Sequence, residues 1–165
     1  MQNLCGVHMQ EWYQSRALYE TVSKLITRGD LTNALEIAQS IPDKGIRAKS
    51  MSMVTVEMAR KRINYKEALE KTIEAIMDIE NYENVTKALM SLAFEFLALK
   101  RFNEALRIAG FIKDVSNRSK IQAEVGLALA REGKIQEAFK IINDILDDDV
   151  RTWATSKLAS ELKKD

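Results

Sequence analysis

The stretch REGKIQEAFKII, residues 131–142, carries a glycine, a bulky apolar residue two positions on, and an alanine three further on. The order recurs, blurred, as GDLTNALEIA from Gly29, INYKEALEKT from Ile63 and KRFNEALRIA from Lys100. The alanines are Ala34, Ala68, Ala105 and Ala138, spaced by 34, 37 and 33 residues. Each follows a bulky residue by three: Leu31, Tyr65, Phe102 or Ile135. Self-similarity at such a period marks a stacked helical hairpin. Glycine enters the left-handed conformation that ends a helix, so Gly29 and Gly133 read as the ends of first helices. Asp30 and Asn64 read as N-caps of second helices, with Glu67, Glu104 and Glu137 in their first turns, where the helix dipole favours negative charge. The alanine lets two antiparallel helices approach closely, and the bulky residue wedges their junction.

Working outward, apolar residues recur at helical spacing, as in Leu89, Leu92, Ala93, Phe96 and Leu97, and no stretch alternates as a half-buried strand does. One proline, Pro42, and six glycines leave few breakers. The fold class is all-α. Hairpins are expected at about 10–28 with 31–41, 46–62 with 65–79, 85–100 with 103–113, and 118–132 with 135–146. The repeats then span about 10–45, 46–82, 83–117 and 118–148, in one domain over 10–165 preceded by a flexible segment, 1–9. A last helix, about 150–163, holds Val150, Trp153, Ala154, Leu158 and Leu162 on one stripe and polar residues opposite, the pattern of a capping helix begun by Asp149.

Composition bounds the function. Apolar residues make up 46% and charged residues 30%, with 25 basic and 24 acidic residues and a net charge of +1. That balance suits a folded domain and argues against a dedicated nucleic-acid binder, which needs a basic surplus. One cysteine, no secretory pattern and no apolar run of membrane length point to the cytoplasm. Cys5 and His8 lie close in sequence, yet two ligands do not make a metal site. Asp144 and Asp147 to Asp149 lack the glycine and distant glutamate of a calcium loop and read as a solvated turn. With no phosphate loop and a single histidine, no enzyme, cofactor or metal is expected.

The chain resembles the tetratricopeptide (TPR) repeat. In QAEVGLALAREGKIQEAFKIINDIL, Gly126, Leu129, Gly133, Ile135 and Ala138 stand at its small, large apolar, glycine, aromatic and alanine positions. Leu89, Leu92, Ala93, Phe96, Phe102 and Ala105 repeat the pattern, and the likeness covers about residues 15 to 146. Val22 and Val56 stand where the consensus is small, the sizes at Ala38/Ile41 and Ala109/Ile112 are reversed, and the closing proline is missing. The resemblance implies a right-handed α-α superhelix, a TPR-like solenoid of about four hairpins plus the cap, whose first helices line a concave groove. Carried over residue by residue, that groove holds Arg16, Tyr19, Ser23 and Thr27, then Ser50, Met53, Glu57, Arg60 and Lys61. It continues through Lys87, Met90, Phe94 and Leu97, then Lys120, Ala123, Leu127 and Arg131. Met90, Phe94 and Leu97 share a stripe, flanked by Arg60, Lys61, Lys87, Lys120 and Arg131; Phe94 and Leu97 read equally as core residues of a tighter superhelix. Such a surface suits an amphipathic or acidic peptide or helix of another protein. The lysine clamp by which some TPR proteins hold a C-terminal carboxylate is absent, since Tyr19, Met53, Met90 and Ala123 occupy the lysine place. The expected function is a non-catalytic protein-interaction scaffold. The alternatives are RNA binding in the manner of pentatricopeptide arrays and self-assembly into a homo-oligomer.

Overall fold

The computed structural model describes residues 4–164; the side chains of Leu4, Cys5, Val7 and His8, and with them the Cys5–His8 pair, lie outside the described residues. Among those described, nine helices and no strand occur. They are α1 (Leu4–Thr27), α2 (Leu31–Gln39), α3 (Lys44–Arg60), α4 (Lys66–Met77), α5 (Tyr82–Ala98), α6 (Phe102–Ala109), α7 (Val115–Arg131), α8 (Ile135–Asn143) and α9 (Asp148–Leu162). The hairpins stand where the repeat puts them. The first helix starts at Leu4, so it reaches into the segment 1–9 that lies ahead of the first expected hairpin.

The chain divides into two compact units, one ending at Ala88 and one starting at Leu89. In the first, α1 packs on α2 and α3, α2 on α3, and α3 on α4, around Val22, Leu31, Ala34, Ala38, Ile41, Met51 and Val54. In the second, α7 packs on α6, α8 and α9, with Ile108, Ile112, Ile121, Val125, Ile142, Ile145 and Leu158 buried.

All four first helices end alike. Gly29 and Gly133 take positive φ, 80° and 84°, and Arg62 and Lys100 do the same, 59° and 62°, without glycine. The next residue then donates its N–H back across the turn, Asp30 to the Leu25 carbonyl and Lys134 to that of Leu129. Between Arg62 and Ala68 the chain has one residue more than between Gly29 and Ala34 or Gly133 and Ala138. That insertion shifts the register of α3 against α4 by one.

The junctions between hairpins carry a signature that the Gly–Ala pattern does not contain: Ile-x-Asp-x-x-x-Arg at 41–47, 112–118 and 145–151. Asp43, Asp114 and Asp147 cap α3, α7 and α9, accepting from the N–H groups of Ile46, Asn117 and Val150. The arginine four on reaches back to the carbonyl before the cap: Arg47 to Ile41 at 2.7 Å, Arg118 to Ile112 at 3.1 Å, Arg151 to Ile145 at 2.7 Å. Ser15 and Ser119 accept from the N–H groups of Asp43 and Asp147, each 28 residues on. Asp147 therefore caps the last helix in place of Asp149, which sits in its first turn, because the helix begins two residues earlier than the apolar stripe suggests. Asp30 caps α2 as expected. At α4 the cap position is Tyr65, and Asn64 accepts from the Lys66 N–H at 3.3 Å instead.

Candidate functional site

Counting six residues on from each junction aspartate, or from Asn81, which caps α5's first turn by accepting from the Asn84 N–H, reaches one place on successive first helices. Lys49, Lys87, Lys120 and Trp153 occupy it, and Arg16, beside Ser15, is its counterpart on α1. Lys49 is the functional candidate that the Gly–Ala alignment misses. Counted back from Ala68, the insertion in the α3–α4 turn moves the groove positions of α3 on by one. It puts Ser50, which is buried, in the place of the exposed Lys49.

In the first unit the expected groove residues are largely engaged by the chain itself. Tyr19 is half-buried, with Arg16 5.0 Å and Lys49 5.4 Å from its ring centre, so two cations cover its face. Arg60 and Lys61 both pair with Glu57. Met53 is half-buried and Lys87 exposed.

In the second unit an open cleft of about 420 Å³ is lined by Phe94 of α5, Lys120 and Glu124 of α7, and Asp149, Val150 and Trp153 of α9. Phe94 is 37% exposed, so it is a surface residue, while Met90 and Leu97 on the same helix are half-buried. Trp153 is 44% exposed; the apolar stripe of α9 is buried through Ala154 and Leu158, and its tryptophan edge lies open to the cleft. Leu127 is 1% exposed and Ala123 fully buried. Both were expected in the groove, and both sit in the core because α7 is packed by α6, α8 and α9 on three sides. Arg131 pairs with Glu161 at 3.5 Å, which removes it from a basic rim. Of the expected groove residues, Phe94 and Lys120 line this cleft. Glu124, Asp149 and Trp153 join them, and the junction signature could have found Trp153 by placing it in register with Lys120.

The carboxylates of the α8–α9 turn have local work. Asp147 caps, and Asp148 pairs with Arg151. Among the described residues no group of three His, Cys, Asp or Glu gathers to hold a metal, and no helix is long and apolar enough to cross a membrane.

No protein-family profile matches the sequence, and no curated protein does either. Among solved structures, the chain is similar to Ton1535 from Thermococcus onnurineus NA1, with a TM-score of 0.55 and 22% identity. The match covers 94% of this chain and 44% of that one, so the chain spans less than half the length of its structural neighbour. At that identity the likeness concerns the fold alone.

Proposed function

We propose that the chain is a non-catalytic, cytoplasmic interaction scaffold, a TPR-like right-handed superhelix that binds an amphipathic segment of another protein. The observation that carries this reading is the cleft between Phe94 and Trp153. Both rings are open, in contrast to Tyr19, which the chain's own cations cover. Large aromatic surface beside a few charged groups is the composition of an anchor pocket, where rigid rings bury area at low entropic cost. The polar character of α9 supports its role as a cap. Ala159, at the place of Gly126 in α7, is exposed and neighbours Thr152, Thr155, Ser156 and Lys163.

A specific observation favours a second reading. A cation recurs at one place in four successive repeats, at Arg16, Lys49, Lys87 and Lys120, as a polyanion would require. One experiment separates the two. Capture from the source cell's lysate, with and without nuclease treatment, compares the wild type with Phe94→Glu/Trp153→Glu, after circular dichroism has shown equal helicity. Proteins held by the wild type alone support the cleft. Capture lost on nuclease treatment supports RNA, identical capture by both baits removes the cleft from the interface, and capture of the chain alone indicates self-assembly.

A further inference from the structure

The charges around the cleft indicate what it receives. Three aspartates, Asp147 to Asp149, open α9. The first accepts from the Val150 N–H and the second pairs with Arg151, which leaves Asp149 as the carboxylate of that turn facing the cleft. Across from it Glu124 is half-buried, and a half-buried carboxylate gains from a positively charged donor. Lys120 stands one helical turn before Glu124, yet among the described residues no ion pair joins Lys120 to Glu124 or Asp149. The lining thus sets two carboxylates against one ammonium, between two aromatic rings.

We infer that the cleft takes an arginine-bearing apolar segment of a partner protein, the guanidinium stacked on Trp153 and held by Glu124 and Asp149, with a bulky apolar neighbour against Phe94. This rests on the reading of the cleft as a peptide site and adds the charge of the partner. Aromatic faces attract cations, and the planar guanidinium both stacks on a ring and meets carboxylates through its fork of donors, which an ammonium does not. The chain uses the same chemistry internally, with Arg16 5.0 Å from the Tyr19 ring centre and Arg107 5.8 Å from that of Phe111. An acidic segment meets net negative charge in this cleft. Lys120 is its weakest point for a cationic ligand, because its ammonium repels the incoming charge.

The test is selection of a random displayed-peptide library on the full chain, with counter-selection on Phe94→Glu/Trp153→Glu. The expected yield is sequences with arginine beside leucine, methionine or an aromatic residue. Replacing that arginine by citrulline, which keeps the shape and removes the charge, should weaken the best binder about tenfold. On Glu124→Gln/Asp149→Asn the same replacement should matter about twofold or less, and Lys120→Ala should tighten binding by about threefold. Cleft-dependent enrichment of acidic or uncharged sequences, or weaker binding to Lys120→Ala, overturns the inference and leaves the interaction reading standing. No enrichment beyond the counter-selecting variant overturns both.

Discussion

The α1–α2 and α7–α8 hairpins solve one packing problem with opposite residues. Twelve residues before the repeat alanine, α1 has Val22 where α7 has Gly126; four after it, α2 has Ala38 where α8 has Ile142. All four are buried. A Cβ placed on Gly126 would come within 2.7 Å of Ile142 Cγ1, so the large residue of α8 occupies the room the glycine leaves. In α3–α4 two threonines of middle size, Thr55 and Thr72, meet with their hydroxyls 2.8 Å apart, and Thr72 also donates to the Ala68 carbonyl at 2.7 Å. The repeat therefore specifies a sum of volumes across the hairpin rather than a residue at each position. This accounts for the departures from the TPR consensus at Val22 and Ala38, which compensate each other across one hairpin.

Breaking that complementarity should have the largest effect. Gly126→Val should destabilise the chain by about 3 kcal/mol, because the added branch meets Ile142 inside a packed hairpin. Ile142→Ala alone should cost about 3 kcal/mol through the cavity it leaves. Combined, the two recreate the Val22/Ala38 pairing in the second unit. The double variant should then lose at least ~1.5 kcal/mol less than the two singles added together. Urea unfolding of the four chains measures the coupling, and simple additivity would show that the hairpins are not interchangeable in this sense.

The junctions give a smaller contrast. Arg47 donates to two carbonyls, Ile41 at 2.7 Å and Pro42 at 3.1 Å, whereas at the fourth junction Val85 stands in the arginine's place. Arg47→Met should lower stability by about 1–2 kcal/mol, since it leaves part-buried carbonyls without their charged donor and keeps most of the side-chain volume. Val85→Met should change it by less than about 0.5 kcal/mol. Thermal unfolding of both variants decides the matter; equal losses would mean that the arginine contributes through its aliphatic stem alone.

These contrasts also show what was legible in the sequence. The hairpins were, because the close contact between their helices keeps an alanine in all four repeats, and glycine marks the left-handed turn in the first and the last. The register of α3 was not, because aligning backward from Ala68 runs through an inserted residue that periodicity cannot see. It selects Val56 where the structure pairs Thr55. Leu127 and Trp153 both lie on apolar stripes of first helices, yet one is buried and the other open. Which edge of a stripe is covered depends on the neighbouring helices, and spacing along a single helix carries no information about them. The carboxylates of the cleft come from α7 and from the first turn of α9, so no local motif announces them.

The smallest expected effect comes from the turns, where each unit offers an internal control. The first contains Gly29 and Arg62 at positive φ, the second Lys100 and Gly133. A Cβ on Gly133 would meet nothing within 4 Å, so Gly133→Ala tests the backbone conformation alone and should cost about 1 kcal/mol. Lys100→Gly runs the other way. It relieves the left-handed strain, loses an exposed pair with Glu132 at 3.2 Å, and gives the unfolded chain more freedom. The first term exceeds the other two by a small margin, so a gain of about 0.5 kcal/mol is expected. Denaturant midpoints for the two variants should therefore move in opposite directions. A Lys100→Gly chain that unfolds earlier would mean that the Lys100–Glu132 pair holds the α5–α6 turn more firmly than an exposed ion pair ordinarily does.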